Sequence, residues 1–244
     1  MFADHFSDHA KRYAAYRPHY PPALVDVLAE RCARHDVAWD AGCGSGQLSV
    51  DLARRFARVI ATDPSPQLIA AARVHDRVEY RVEPAENSTL ADASVELAVA
   101  AQAAHWFDWP AYVAEVARVA RPGALVALVS YGILELAGEA GTIVARYYAD
   151  VAPYWPPGRE HVENGYRDLA WPWPEVQPPA IAMIERWTRD ELAGYIATWS
   201  ATTRHVKALG AARYDALCGE LARVWPDGER REVRWPLAIR LARR

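Results

Sequence analysis

Asp40-Ala41-Gly42-Cys43-Gly44-Ser45-Gly46 decides how the rest of this chain is read. A short apolar run, residues 37–40, enters it, and residues 47–56 leave it with helical spacing. Glycines permit positive φ and let a ligand approach the backbone closely. A helix opening on such a turn presents free amide donors and the positive end of its dipole. Outward from the loop the same rhythm repeats. Residues 58–62 form a buried strand ending in Asp63, and residues 65–73 form a helix that Ser65 can cap. Strands follow at 78–82 and 95–101, then a helix at 110–120 with Asp108 as its cap and Pro110 in its first turn. A turn at Arg121-Pro122-Gly123 leads to a strand at 124–130. Short apolar strands alternating with helices predict an α/β chain, doubly wound, with a mostly parallel sheet and helices on both faces. Ligands of such sheets sit at the carboxyl ends of the strands, where the strand order reverses.

The flanks read differently. Residues 2–16 are predicted as a helix ended by Arg17-Pro18, because the residue before proline disfavours the helical region. A second helix follows Pro21-Pro22 to about residue 33. After Gly132 come a helix at 134–152 and a proline-stiffened stretch at 153–179 carrying Tyr154, Trp155, Tyr166, Trp171 and Trp173. Residues 181–187 and 233–241 read as the two strands that finish the sheet, with Pro236 marking an edge or a bulge. Helices at 188–202 and 211–224 lie between them, the first opened by a Thr188-x-x-Glu191 capping box. The expected organisation is a core at 1–133, an irregular helical cap segment at 134–179, and the last two sheet strands with inserted cap helices at 180–244.

The 244 residues are 52% hydrophobic and 24% charged, the balance of a globular chain. The 28 Lys and Arg against 31 Asp and Glu leave a formal net charge of −3, without the basic excess of a nucleic-acid binder. No apolar run reaches the ~18 residues of a membrane span, and the polar first residues show no signal peptide. Cys32, Cys43 and Cys218 are odd in number and form no CxxC, which points to a reducing, cytoplasmic setting with no disulfide framework. His5 and His9 are four apart without the H-E-x-x-H pattern, so no metal site is expected. Of the 10 Trp, those at 155, 171, 173, 187, 199, 225 and 235 follow residue 150. They serve either as ordinary core or as walls of a ligand cavity.

The loop narrows the ligand. A dinucleotide fingerprint would read GxGxxG, but Gln47 stands where the third glycine belongs. A carboxylate at Asp40 would repel a pyrophosphate and suits a ligand bearing an ammonium and a sulfonium. S-adenosylmethionine carries both and no phosphate. Asp63 ends the second strand, where an acid can accept from both ribose hydroxyls; its alternative is a cap near Ser65.

DAGCGSG resembles motif I of the class I S-adenosylmethionine-dependent methyltransferases, type 11-like, and TDPSPQLI resembles the segment after their second strand. YAAYRPHYP, AQAAHWFD and the terminal RWPLAIRLAR are similar to a subfamily of small-molecule enzymes that includes trans-aconitate methyltransferases. The resemblance covers residues 6–130 and, beyond them, only residues 187–192 and the last strand. It implies a seven-stranded Rossmann-like sheet with S-adenosylmethionine as cofactor. Asp40 and the backbone of Gly42 and Gly44 would hold the methionine part. Asp63 would bind the ribose, Pro64 or Ser65 would flank the adenine, and Ala85-Glu86 would meet its edge. Gln102 and Ala103 would lie beneath the sulfonium. Tyr13 and Arg17, matching a YxxxR pattern, could close over the cofactor, with Arg17 as partner of the methionine carboxylate. Plainer readings stand beside these: Tyr13 as core, Arg17 as a surface residue, Glu86 as a solvated loop acid.

On the acceptor side His105 and Trp106 follow the fourth strand. His105 could act as general base or as hydrogen-bond donor to an anionic acceptor, or simply cap the next helix. Trp106 could wall the site and screen the sulfonium. The signatures of amino-group and cytosine-C5 DNA methyltransferases are absent. The expectation is methyl transfer to a small molecule, a carboxylate or a hydroxyl compound, by a monomer or homodimer without nucleic-acid or membrane partners. Arg146, Arg159 and Arg204 are candidate anion binders in the cap, and Tyr131, Trp155 and Trp199 candidate walls. An NAD(P)-dependent oxidoreductase and a non-catalytic S-adenosylmethionine-binding protein are the competing readings.

Overall fold

The computed structural model describes residues 16–178 and 180–244. Tyr13, His5, His9 and the expected first helix lie outside the described residues. In chain order the elements are α1 (Pro22–Glu30), β1 (Val37–Ala41), α2 (Gln47–Leu52), β2 (Arg58–Asp63), α3 (Pro66–Ala70), β3 (Val78–Val82) and β4 (Val95–Ala101). A 3-10 turn at Ala104–Trp106 precedes α4 (Trp109–Val119) and β5 (Ala120–Tyr131). Then come β6 (Glu135–Leu136), α5 (Gly138–Val151), α6 (Arg159–Glu163), β7 (Glu175–Val176) and β8 (Met183–Trp187). The chain closes with α7 (Arg189–Ala197), α8 (Ser200–Leu209), α9 (Ala212–Val224), β9 (Arg231–Trp235) and β10 (Leu237–Arg243).

The main sheet has seven strands in the order β3-β2-β1-β4-β5-β10-β7. The first five are mutually parallel, and β10 pairs antiparallel with both β5 and β7. Strand order reverses between β1 and β4, which opens a crevice above their carboxyl ends. Period-two alternation sends Leu97 and Val99 of β4 to one face and Ala98 and Ala100 to the other. The first face packs on Leu24 and Leu28 of α1 and Leu48 and Leu52 of α2. The second packs on Tyr112, Val116 and Val119 of α4. No helix among the described residues is long and apolar enough to cross a membrane.

The C-terminal strands depart from expectation. Residues 181–187 do not join the main sheet; β8 lies in a three-stranded antiparallel sheet of order β6-β9-β8. The run expected as one strand over 233–241 is two. Pro236 has no N–H to donate and interrupts the ladder, so β9 ends in the small sheet and β10 begins in the large one. The sixth and seventh places in the main sheet therefore fall to β10 and the two-residue β7. The helix expected over 188–202 also breaks, at an extended Trp199 that caps α8 without a side-chain bond. The break turns the Trp199 ring toward Tyr147, Tyr148, Trp155 and Tyr195. The capping box at Thr188 and Glu191 forms as its sequence predicts.

One buried carboxylate ties the loop after β3 to α4. Glu115 accepts from the Ser88 amide at 2.8 Å, the Ser88 hydroxyl at 2.6 Å and Arg118 at 2.7 and 2.9 Å. Arg118 in turn donates to the carbonyls of Ser88 and Leu90. Burial alone would raise the Glu115 carboxyl, but its bonds from Arg118 and Ser88 outweigh that and hold it below its ordinary 4.5. Replacing Glu115 by Ala should cost about 2 kcal/mol at neutral pH, the scale of a lost charge-assisted hydrogen bond. A depressed folded-state pKa stabilises above the unfolded value, so the deficit should shrink as pH falls below 4.5. Urea unfolding of wild type and Glu115→Ala at pH 7 and pH 4 measures both effects.

Candidate functional site

The glycine loop takes its shape from what packs on it. Gly42, Gly44 and Gly46 have φ of 69°, 57° and 75°, all left-handed. A Cβ on Gly42 would lie 2.6 Å from the Ala103 Cβ, and one on Gly46 would lie 2.1 Å from the Tyr80 hydroxyl. A Cβ on Gly44 would meet nothing within 4 Å, because that position faces open space. The amides of Gly42 and Cys43 donate to the Thr62 carbonyl at 2.8 and 3.0 Å. Asp63 accepts from the Gly44 amide and from the Ser65 amide, both at 2.9 Å. The ribose and capping readings of Asp63 are thus not exclusive, since a carboxylate has about four acceptor positions.

Above this loop lies a cleft of about 390 Å³. Asp40, Gly42, Gly44, Asp63, Pro64, Ala85, Glu86, Gln102, Ala103 and Trp106 all line it. Asp40 is 1% exposed and accepts from the Ser49 hydroxyl at 2.6 Å. Burial pushes its carboxyl up to about 7, Ser49 opposes the rise, and the neighbouring Asp63 charge adds to it. Cys43 is an uncharged wall, its thiol raised by burial and by both aspartates. Glu86 is only partly exposed, and its carboxylate accepts from the Asp108 amide at 2.8 Å, which ties the loop after β3 to the turn after β4. Asp108 caps α4 through the Ala111 amide at 3.3 Å.

A second chamber of about 60 Å³ adjoins the cleft, and Gln102, Trp106 and Tyr131 border both. His105 lies here, with Arg17, Arg159, Trp155, Trp199 and Tyr195. Arg17 lines this chamber and not the cleft, and donates to the Tyr131 hydroxyl at 3.1 Å. Arg159 lies 4.5 Å over the Trp155 ring and pairs with Glu163 at 3.3 Å. The arginine set expected from sequence is therefore corrected. Arg146 pairs with Glu220 outside both spaces, and Arg204 lines neither. Helical phase turns these two away, while the Arg17-Pro18 turn and the Gly158 start of α6 bring Arg17 and Arg159 to one chamber. The expected walls Tyr131, Trp155 and Trp199 are all present. Trp225 and Trp235 are core instead, at 0% and 1% exposure.

His105 is held by Tyr166, whose hydroxyl lies 2.9 Å from Nδ1. Burial lowers the imidazole to about 3, with the positive fields of Arg159, His161 and Arg17 adding to the effect. It is neutral at any physiological pH. Tyr20, Leu68, Phe107 and Tyr166 escaped the sequence reading. Phe107 carried a signal, since it sits within the HWFD string; its ring comes within 3.1 Å of where a Gly42 Cβ would be. Tyr166 carried none, being 61 residues from His105 in a stretch without regular period.

The methyltransferase-domain family matches residues 39–128. A methyltransferase of Dictyostelium discoideum is 32% identical over 212 residues, which are 85% of this chain and 81% of that one. A solved structure described as a type II methyltransferase from Anaeromyxobacter dehalogenans is 45% identical, with a TM-score of 0.87 over 93% of this chain and 98% of that one. A methyltransferase structure from Anabaena variabilis shares the fold at 20% identity, with a TM-score of 0.58 over 92% of this chain and 99% of that one.

The glycines separate by what a methyl group would strike. Gly44→Ala should lose only the ~1–2 kcal/mol of a left-handed alanine. Gly46→Ala should lose more, because Tyr80 must leave its bond to the Arg73 carbonyl at 2.8 Å. Denaturant unfolding of the two variants side by side gives the order.

Proposed function

This chain belongs to the class I S-adenosylmethionine-dependent methyltransferases, and we propose that it methylates a small acceptor bearing a carboxylate, seated in the chamber behind Trp106 and Tyr131. The observation that carries this reading is the pairing of opposite electrostatics across one junction. The cleft holds two buried carboxylates, and the adjoining chamber holds two guanidinium groups and a neutral imidazole.

The cleft fits the cofactor on its own chemistry. A buried Asp40 raised to about 7 is a carboxylate without its cation. The ammonium of a methionine part supplies one, and Gly44, which faces open space, leaves room for it beside the Gly42 backbone. Asp63 lines the cleft at the end of β2, where a carboxylate can accept from ribose hydroxyls. Pro64, Leu68 and Ala85 make an apolar slot for a purine, with Glu86 at its edge. S-adenosylmethionine supplies, when bound, a methyl group activated by a sulfonium centre. Gln102 and Ala103 would lie beneath that centre, and the Trp106 face would screen it.

Arg17 and Arg159 would receive the acceptor, so Arg17 moves from the cofactor to the acceptor in this reading. Guanidinium groups bind carboxylates bidentately, and two of them suit a polycarboxylate such as trans-aconitate. Tyr131, Trp155 and Trp199 keep the chamber dry. Most of the rate would come from alignment, with Gln102, Trp106 and Tyr131 holding the reacting groups in line.

Two measurements test this. S-adenosylmethionine affinity should tighten as pH rises from 6 toward 8, because Asp40 must ionise to meet the ammonium, and the slope should vanish in Asp40→Asn. Calorimetric titration across pH reads it, and an unchanged slope in the variant counts against the assignment of Asp40. Methyl transfer should be found within a panel of small di- and tricarboxylates. Arg159→Ala should raise KM by about 10- to 100-fold with a smaller effect on kcat, the scale of one charge-assisted contact. Turnover of neutral acceptors only would sink the carboxylate reading.

A further inference from the structure

Tyr166 is out of place by every local rule. It is a bulky residue in the left-handed region, with φ of 61°, and it is fully buried. Such strain persists only where the surroundings over-determine it. Here its amide donates to the His161 carbonyl at 2.7 Å, and its own carbonyl accepts from Arg240. The backbone is thus pinned from both sides, and the ring is delivered stacked against His105, centroids 6.1 Å apart and planes at 21°.

The direction of the hydrogen bond between them follows from donor accounting. A phenol has one hydrogen to give and can accept on its oxygen. Burial raises the Tyr166 hydroxyl well above its usual range, so it keeps its proton. The hydroxyl is buried, and among the described residues no acceptor other than His105 Nδ1 hydrogen-bonds it, so accepting from the imidazole would strand the phenolic hydrogen. The phenolic hydrogen is then left for His105 Nδ1 at 2.9 Å. A neutral imidazole that accepts at Nδ1 carries its hydrogen on Nε2. Nε2 makes no protein hydrogen bond among the described residues, and His105 lines the small chamber.

We propose that Tyr166 is a positioning residue that fixes His105 as the Nε2–H tautomer, so that His105 meets the acceptor as a hydrogen-bond donor and not as a base. The proposal rests on assigning the small chamber to the acceptor. The groups facing His105 are Tyr166, Trp106, Arg159, His161 and Arg17, and of these only the Tyr166 hydroxyl hydrogen-bonds its ring. An acceptor must then arrive already ionised. A carboxylate oxygen forms the new C–O bond with its own lone pair while the methyl–sulfur bond breaks and its electron pair goes to sulfur. The products are a methyl ester and a neutral thioether, and no proton moves.

Nitrogen-15 spectroscopy of the full chain, histidine-labelled and saturated with S-adenosylhomocysteine, tests this without any acceptor. The expected result is a single Nε2–H tautomer of His105, unchanged from pH 5 to pH 8. In Tyr166→Phe that single signature should be lost and the imidazole should titrate at a higher pH. A proton on Nδ1 in the wild type, or the same tautomer and titration in Tyr166→Phe, overturns the proposal. If the variant does not fold, the Tyr166 hydroxyl proton in the wild type decides, through its correlation with His105 Nδ1 or lack of one. An empty carboxylate screen would overturn the acceptor class, and it is told apart because the tautomer is read with no acceptor present.

Discussion

Asp63 takes amide hydrogens from Gly44 and Ser65, and through these two bonds one carboxylate holds both the glycine loop and the start of α3. Its neighbour Asp40 is the penultimate residue of the adjacent parallel strand, paired with Ala61 in the ladder. Two anions are therefore buried side by side at the carboxyl end of the sheet. The Ser49 hydroxyl and the amides of Gly44 and Ser65 offset part of that burial, and the cost appears as the raised Asp40 carboxyl. A cleft built in this way favours a cation, whose charge would relieve the burial penalty on Asp40.

The same economy of position runs through the junction between the two spaces. Gln102 adopts a left-handed φ of 54° at the end of β4, an unusual state for a residue with a long side chain. It is held there by its amide on the Val129 carbonyl and its side chain on the Tyr131 carbonyl, both at 2.8 Å. The turn this creates seats Ala103 under Gly42 and sends His105 and Trp106 into the chamber. Tyr166 is a second strained residue near the junction, and it bonds His105, which lines the same chamber as Gln102. Gln102 is held by carbonyls of β5, and Tyr166 by the His161 carbonyl of α6 and the Arg240 side chain of β10.

The cap is not a separate body resting on the sheet. Leu125, Val129 and Leu241 of the main sheet share one apolar cluster with Ile143, Tyr147, Leu192, Ile196, Leu217 and Trp225 of the C-terminal helices. The walls of the small chamber, Trp155, Trp199 and Tyr195, grow from the edge of that cluster. The residues that shape the small chamber are thereby anchored in the core that stabilises the fold, which keeps the chamber preorganised.

The local sequence determined the first half of the molecule. Period-two apolar strands, the capping residues Ser65 and Asp108, and three glycines at alternate positions act over a few residues, so the strands, the loop and the cleft's acids were legible without coordinates. Asp40, Asp63 and Gln102 share a cleft because each lies at or next to the carboxyl end of a strand, and strand ends were readable. The tertiary structure alone decided the rest. Pro236 could be seen to interrupt a strand, but which sheet each half would join depends on pairings with Tyr131 and Leu136, far away in sequence. Arg17 and Arg159 converge, while Arg146 and Arg204 do not, because helix phase and loop entry set where a long side chain ends. The partnership of Tyr166 with His105 spans 61 residues and rests on a strained turn that no period announces. Local chemistry dictates elements and their ends; only packing dictates which ends meet.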